Sequence, residues 1–245
     1  MRILVVNPNT TASMTEKIAA SARSVAAPGT TVEAVTSSTG PESIEGYYDE
    51  AFAVPGLVQA IVAGERAGTD GAVIACFDDT GLDAARAAVA IPVIGICEAA
   101  VHFTSPLAHR FSIVTTLSRS IPPLEALTER YGVARRCRVR AAEVPVLALE
   151  NSHSRAVEKI EHEIAAAMRD DRSEAIILGC AGMTALAATL ARTFGIPVVD
   201  GVAAAVKMIE ALVGLGLRTS KIGGYAPPLP KAYRGTMADF APKPR

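Results

Sequence analysis

The sequence predicts an α/β protein with two pseudo-symmetric lobes, each a mainly parallel sheet flanked by helices. Two observations support this fold class. Short apolar runs alternate with helical patterns along nearly the whole 245-residue chain, and the pattern of the first half is repeated in the second. Alternating strands and helices favour parallel sheets with right-handed crossovers. We therefore expect two similar lobes that face each other across a cleft.

The repeat is clearest around two cysteines. Val6 precedes Cys76 by nearly the same number of residues as Val114 precedes Cys180. Each cysteine segment leads to an Ile-Pro-Val sequence, at 91–93 and 196–198. Each cysteine also ends an apolar run of strand length and comes before a helix-forming segment rich in small residues. A matched offset of this kind indicates an internal duplication.

The first half begins with a β-branched run, which Asn7 and Pro8 close with turn chemistry. Pro55 is expected to open a later helix, because proline fits the first helical turn. The loop at 37–46 is rich in Ser, Gly and Pro, and such loops at strand ends often cover ligands; a plain surface connection is the alternative. Strands are predicted at 2–6, 31–36, 72–76 and 92–97, and helices at 14–25, 55–67 and 81–89.

The second half repeats this order. Thr115 and Thr116 follow the first strand of the second half, at the position that the Asn7-Pro8 turn has in the first half. Val157, Ile160 and Ile164 recur at helical spacing and are expected to face the core. Strands are predicted at 110–115, 137–144, 175–180 and 197–200, and helices at 122–131, 154–168, 181–194 and 202–217. The predicted boundaries place 1–98 and 202–225 in the first lobe, 99–201 in the second, and 226–245 in a C-terminal tail with little structure of its own.

The composition argues against several classes of partner. A net charge of −1 gives no reason to expect nucleic acid or an acidic membrane surface, and 4% aromatic residues argue against base-stacking surfaces. No run of about 18 apolar residues is present to span a membrane. The N-terminus enters a strand directly, without the pattern of a secretory signal. We therefore expect a cytoplasmic protein that binds a small molecule.

The four cysteines form no CxxC pair, and the four histidines show no ligand spacing with them. In a cytosolic chain this pattern predicts free thiols and no metal site. Cys97 ends a predicted strand but has Gly201 as its counterpart in the other half, so we interpret it as structural. Cys137 lies in the arginine-rich stretch RRCRVR and is expected on an exposed strand, without a role in the site.

Cys76 and Cys180 are the candidate catalytic residues. Open α/β sheets bind ligands at the carboxyl ends of their strands, where both cysteines fall, and a helix start after each would lower its pKa towards neutrality. Across a pseudo-twofold axis the two sulfurs would approach a ligand from opposite sides. That geometry suits stereoinversion at an acidic carbon, because one thiolate can remove a proton while the opposite thiol returns one. Backbone N–H groups of Phe77, Asp78, Ala181 and Gly182 are expected to stabilise the oxyanion.

These residues also have plainer interpretations. A single cysteine at a strand end is more often a packed core residue, so only the matched pair favours chemistry. Asp78 and Asp79 could be ordinary acids at a helix N-terminus. Thr115 and Thr116 could be simple strand and cap residues.

The combination of VNPNTTASMT, CFDDTGL and GCAGM resembles the hydantoin racemase branch of the aspartate/glutamate racemase superfamily, over about Met1–Tyr225. The resemblance implies the two-lobed fold of that superfamily, and a racemase that needs no cofactor and acts through Cys76 and Cys180. It also implies a homo-oligomer. Substrate contacts are implied for Asn7, for Ser43, Ile44 and Glu45 in the loop, for Phe77, Asp78, Ala181 and Gly182 after the cysteines, and for Thr115 and Thr116.

The residues after the cysteines indicate the kind of substrate. Amino-acid racemases of the superfamily typically carry Asn-Thr after the first cysteine and Thr-His after the second, whereas this chain has Phe77-Asp78 and Ala181-Gly182. The difference favours a neutral cyclic ureide, whose Cα proton is acidic because its conjugate base is a delocalised enolate. Racemisation of 5-substituted hydantoins is the leading hypothesis. The alternatives are racemisation of allantoin, maleate isomerase-like chemistry, and a non-catalytic two-lobed binding protein.

Overall fold

The computed structural model describes residues 1–151 and 153–242, and strands alternate with helices up to Gly214. The strands are β1 (Arg2–Asn7), β2 (Thr31–Thr36), β3 (Gly71–Ile74), β4 (Val93–Gly95), β5 (Phe111–Thr115), β6 (Cys137–Ala141), β7 (Ala175–Leu178) and β8 (Val198–Asp200). The α-helices are α1 (Ala12–Val25), α2 (Tyr47–Arg66), α3 (Leu82–Ala88), α4 (Ile96–Thr104), α5 (Ile121–Arg130), α6 (Ala156–Ala166), α7 (Ala187–Phe194) and α8 (Gly201–Gly214).

The strands form two four-stranded sheets, with the orders β2-β1-β3-β4 and β6-β5-β7-β8. The strand pairs that the structure describes are all parallel. The register is also repeated, because Val6 pairs with Ile74 at the end of β3 and Val114 pairs with Leu178 at the end of β7. The second sheet therefore repeats the first, and the predicted fold class is confirmed.

The two sheets share a core. Helices cover both faces of the central strands, so β3, β5 and β7 are buried along their whole length. One hydrophobic cluster contains side chains from both sheets, including Val5 and Val73 of the first and Ile113 and Ile177 of the second. The last helix, α8, packs on β3 and β4 of the first sheet. The boundaries between lobes at 98 and 201 stay a prediction.

Helices and ion pairs fix the lobes against each other. α4 and α8, which follow the last strand of each sheet, pack together. Gly201 allows this close approach, because a Cβ there would lie 2.5 Å from the Ile96 carbonyl oxygen. At the end of α5, Arg130 donates two hydrogen bonds, of 2.8 and 2.6 Å, to the Asp83 carboxylate of α3. These contacts join the two halves of the chain.

The predicted start of α2 was wrong. The helix begins at Tyr47, and Pro55 lies inside it rather than in its first turn. Proline removes one helical hydrogen bond. The helix continues because the side chains on either side, Ala53 and Leu57, are fully buried where α2 packs on β1 and β3.

The prediction of one strand over 92–97 was also wrong. β4 ends at Gly95, and Cys97 lies fully buried in the first turn of α4. The Asp79 carboxylate caps this helix, since it accepts hydrogen bonds from the N–H groups of Cys97 and Glu98 at 3.0 and 2.9 Å. A capping group from a distant part of the chain leaves no local signal.

Two side chains differ from their predicted exposure. Cys137 lies on the edge strand β6, but its side chain is buried, not exposed. Val157 was expected to face the core and is 42% exposed. The buried face of α6 runs through Ala156, Ile160 and Ile164, four residues apart, and Val157 lies one residue off that face.

The chain after α8 is held to the first lobe at its beginning. The Lys221 ammonium donates to the carbonyls of Arg86 and Val89, at 2.6 and 2.7 Å, where α3 ends. The Tyr225 hydroxyl donates to Asp83 at 3.0 Å. From 226 to 242 the described residues contain one short 3₁₀ helix, Gly235–Phe240, and most of their side chains are exposed. The predicted tail extends to 243–245, which lie outside the described residues.

Candidate active site

Cys76 and Cys180 occupy equivalent positions in the two sheets. β3 ends at Ile74 and β7 ends at Leu178, and each cysteine follows after one intervening residue. Both therefore lie at the carboxyl end of a central strand. Both line the same cleft. The duplication thus brings the two candidate catalytic thiols into one cavity.

The cleft is narrow, with a cavity volume of about 30 Å³. Ser43 and Gly182 do not line the cleft. In the loop it is the neighbouring Ile44 side chain that is buried. Gly182 faces Leu149, because a Cβ at Gly182 would lie 3.0 Å from that side chain. Substrate contact by the predicted residues stays a prediction. Those that line the cleft beside the cysteines are Asn7, Ile44, Phe77, Asp78, Thr115, Thr116 and Ala181.

Several lining residues were not predicted: Pro8, Asn9, Met14, Ala75, Ser120, Val146 and Gly179. Asn9 is coupled to a predicted residue, because its carboxamide oxygen accepts a hydrogen bond from the Asn7 side chain at 2.8 Å. The same Asn7 nitrogen donates to the Thr15 hydroxyl at 3.0 Å. The second asparagine of the Asn-Pro-Asn turn is the sequence feature that could have indicated Asn9 as a site residue.

Loops from the two lobes meet at the cleft. Glu45 accepts a hydrogen bond from the backbone N–H of Val146 at 2.8 Å. Lys17 donates to the Leu149 carbonyl at 3.1 Å and to the Glu150 carboxylate at 2.8 Å. The loop at 37–46 therefore borders the cavity, which favours its interpretation as a ligand-covering loop.

The Cys180 thiol lies at the start of a 3₁₀ turn, Ala181–Leu186. Burial raises its pKa to about 12. A hydrogen bond from the Gly182 N–H to the sulfur, at 3.4 Å, opposes this rise, whereas the charges of Asp78 and Glu45 add to it. The thiol is therefore protonated at neutral pH, and its thiolate is a strong base.

Burial also raises the pKa of the Cys76 thiol, and the Asp78 carboxyl adds to the rise. The Thr80 hydroxyl donates a hydrogen bond to the Cys76 sulfur at 3.3 Å. The expectation that helix starts bring both thiols near neutrality was therefore wrong. α3 begins only at Leu82, and desolvation of a thiolate outweighs the few hydrogen bonds that reach it.

Two of the N–H groups expected at an oxyanion act on the sulfurs. The Asp78 N–H lowers the pKa of Cys76, and the Gly182 N–H donates to Cys180. The N–H groups of Phe77 and Ala181 stay candidates for the oxyanion. The Thr115 hydroxyl donates to the Gly179 carbonyl at 3.1 Å, which ties the ends of β5 and β7 together.

The two neighbouring aspartates have different surroundings. Asp79 turns away from the cleft with a left-handed backbone, φ 47°, and besides capping α4 it accepts a hydrogen bond from the Tyr131 hydroxyl of the second lobe at 2.5 Å. Asp79 therefore has a structural role. It caps α4, and not α3, the helix that follows it in the chain. Asp78 lines the cleft, and burial followed by the charge of Glu50 raises its pKa to about 8.

Within residues 1–151 and 153–242, no three His, Cys, Asp or Glu side chains come together as a metal site. In the same ranges, no helix is long and apolar enough to cross a membrane.

Comparison with known proteins identifies the family. The model for the Asp/Glu/Hydantoin racemase family matches residues 3–209, which contain every residue that lines the cleft. The chain belongs to this family. A hydantoin racemase of Rhizobium meliloti is 51% identical over 236 residues, which cover 96% of this chain and 98% of that protein. The chain is thus a racemase, as the sequence motifs predicted.

Solved structures agree with this family at two levels of similarity. An allantoin racemase from Klebsiella pneumoniae is 49% identical, covers 99% of this chain and 100% of its own, and gives a TM-score of 0.96. Glutamate racemase from Francisella tularensis is 19% identical, with a TM-score of 0.65 over 90% of this chain and 84% of its own. The similarity to glutamate racemase shows that this chain shares the two-lobed fold of the amino-acid racemases.

Proposed function

We propose that this racemase inverts 5-substituted hydantoins at the ring Cα, with Cys76 and Cys180 as its two bases. The observation that carries the proposal is the placement of two thiols at equivalent ends of duplicated strands, both lining one cleft. A cleft between pseudo-symmetric lobes offers one sulfur to each face of a flat ring. The similarity to the hydantoin racemase of Rhizobium meliloti supports the ureide as substrate.

Each turnover moves two protons. One cysteine, as the thiolate, takes the Cα proton and becomes a thiol, and the electron pair of the broken C–H bond delocalises onto the adjacent carbonyl as an enolate. The opposite cysteine, as the thiol, then gives its proton to the other face of Cα and becomes the thiolate. The roles are exchanged for the other enantiomer. No cofactor is needed in this scheme, because side chains of the cleft carry out both transfers.

The raised thiol pKa values make each thiolate a stronger base but a less populated one. Burial places the pKa of Cys180 at about 12, and the gain in basicity only partly offsets the smaller thiolate population. The same burial means that only a small fraction of either thiol is ionised at neutral pH. We therefore expect the rate to rise with pH as the reactive thiolate becomes populated.

The polar groups of the cleft fit a neutral ring. Asn7, Asn9, Thr116 and Ser120 are uncharged hydrogen-bonding residues that line it. Among the described residues that line it, there is no arginine or lysine to pair with a substrate carboxylate. A free amino acid and maleate both carry carboxylates, so the lining favours a ureide over amino-acid racemisation and over maleate isomerase-like chemistry.

Allantoin is the second candidate substrate. It contains the hydantoin ring with a polar ureido substituent, and the 49% identity to the allantoin racemase from Klebsiella pneumoniae favours it. Against this, Met14, Ile44, Phe77 and Val146 give part of the cleft an apolar surface, which suits an alkyl substituent.

The test is to incubate the purified protein in deuterium oxide with single enantiomers of a 5-alkylhydantoin and of allantoin. Optical rotation and Cα deuteration are followed, and a protein-free sample corrects for spontaneous exchange. Faster decay of rotation with the hydantoin supports the leading assignment, and faster decay with allantoin transfers it to the second candidate. If neither substrate loses rotation faster than the protein-free sample, ureide racemisation is wrong.

A further inference from the structure

Two carboxyl groups meet on the Cys76 side of the cleft. Asp78 lines the cavity two residues after Cys76, and Glu50 comes from the first turn of α2. One oxygen of Glu50 is buried without an N–H or O–H donor in the described part of the chain. The hydrogen-bonding partner of the Glu50 side chain is the Asp78 carboxyl.

A hydrogen bond between two carboxyls requires a proton on one of them, because ionised carboxylates are acceptors only. We propose that Glu50 and Asp78 share one proton, and that this proton keeps a full negative charge away from Cys76. The shared proton follows from the contact between the two side chains. Its consequence for catalysis rests on the proposed two-cysteine function.

The surroundings support one charge rather than two on this pair. Burial and the Glu50 charge raise the pKa of Asp78 to about 8, and the charge of Asp79 adds to the rise. Burial also raises the pKa of Glu50, the Asp78 hydrogen bond lowers it, and Asp49 on α2 raises it again. The other charges that act on the two thiols are Glu45 and Glu150 on Cys180, and the Cys180 thiol itself on Cys76. No cation is among these influences, so the proton is what lowers the charge of the pair.

The pair makes the two sides of the cleft unequal. Gly182 follows Cys180 as Asp78 follows Cys76, and it has no side chain to ionise. Asp78 is the largest charged influence that raises the pKa of either thiol, but it lies only two residues from Cys76, and its N–H hydrogen-bonds to that thiol. Loss of the shared proton above about pH 8 should therefore suppress the Cys76 thiolate more than the Cys180 thiolate.

The test measures thiol ionisation without using the racemase activity. Wild type, Asp78→Asn and Glu50→Gln are alkylated with iodoacetamide between about pH 6 and 10, and mass spectrometry follows Cys76 and Cys180 separately, since the thiolate is the reactive form. Cys180 serves as the internal control for access and folding. Failure of ureide racemisation would leave this readout intact.

The two variants should depart from wild type in different pH ranges. Asp78→Asn mimics the protonated acid, so Cys76 should react as in wild type below about pH 8 and about tenfold faster above it. Glu50→Gln removes the partner that holds the proton, so Asp78 ionises at lower pH and Cys76 should react several-fold more slowly near neutrality. The rates of Cys180 should change less in both variants.

If both carboxyls were ionised without a shared proton, removal of either charge would speed the alkylation of Cys76 at every pH. Faster reaction of Cys76 in Glu50→Gln near neutrality would therefore overturn the proposal, as would wild-type profiles in both variants. A measurement on the wild type alone covers the case of a variant that fails to fold. The infrared carbonyl band of a protonated carboxylic acid should be present at pH 7 and vanish above pH 8 to 9, and its absence at pH 7 would also refute the shared proton.

Discussion

The hydrogen bond from Thr80 to Cys76 offers a test of how the first thiol is tuned. Thr80 is buried, and its hydroxyl donates to the Cys76 sulfur at 3.3 Å. Thr80→Val removes this donor but keeps the shape of the side chain. A hydrogen bond to a charged group contributes about 1.5–3 kcal/mol, and sulfur is a weak acceptor, so we take the lower end of this range. A loss of about 1.5 kcal/mol from the thiolate raises the pKa of Cys76 by about one unit.

The duplication supplies a matched control. Thr184 follows Cys180 as Thr80 follows Cys76, but its hydroxyl donates to Asp200, which caps α8, and not to the sulfur. Thr184→Val should lower the free energy of unfolding by about 1 kcal/mol and leave the alkylation profile of Cys180 in place.

The assay follows alkylation of each cysteine against pH, together with kcat/KM in both directions. In Thr80→Val, Cys76 should react about tenfold more slowly at a fixed pH below its pKa. The kcat/KM value should fall about three- to tenfold and equally in both directions, because the stronger base partly offsets its smaller population and the equilibrium constant of a racemisation is one. An unchanged Cys76 profile in Thr80→Val, or an equal shift of Cys180 in Thr184→Val, would refute the reasoning.

Two further predictions concern stability. A Cβ added by Gly95→Ala would lie 2.1 Å from the Asp79 carboxylate, so this acid must leave the N-terminus of α4; urea denaturation should show a loss of about 2–4 kcal/mol, and a loss under 0.5 kcal/mol would contradict the tight fit. Lys221→Met removes donors to the carbonyls of Arg86 and Val89 at the end of α3. It should cost about 1–2 kcal/mol and speed limited proteolysis after α8, and wild-type proteolysis would argue against anchoring.

Much of the fold could be predicted because the duplication repeats local signals. Strands of β-branched residues closed by turns appear twice, and the register that pairs Val6 with Ile74 and Val114 with Leu178 follows the repeat. The same regularity placed Cys76 and Cys180 at equivalent strand ends. Parallel sheets bind ligands at the carboxyl ends of their strands, and both cysteines line the cleft from that end.

The parts that could not be predicted depend on residues distant in sequence. The cap of α4 comes from Asp79, so the β-branched and apolar run at 92–97 read as one strand. The partner of Asp78 is Glu50 on α2, and no local pattern joins them. The thiol pKa values also depend on burial, which outweighs the helix starts that the sequence does show.

The central claim is that Cys76 and Cys180 act on opposite faces of one substrate. The most direct measurement is Cα deuteration of each pure hydantoin enantiomer in deuterium oxide with Cys76→Ser and with Cys180→Ser, corrected for spontaneous exchange. Each variant should lose racemisation by at least about 100-fold, while it exchanges the Cα proton of one enantiomer without inverting it. The two variants should select opposite enantiomers. Racemisation that persists in either variant, or exchange of the same enantiomer by both, would contradict the account.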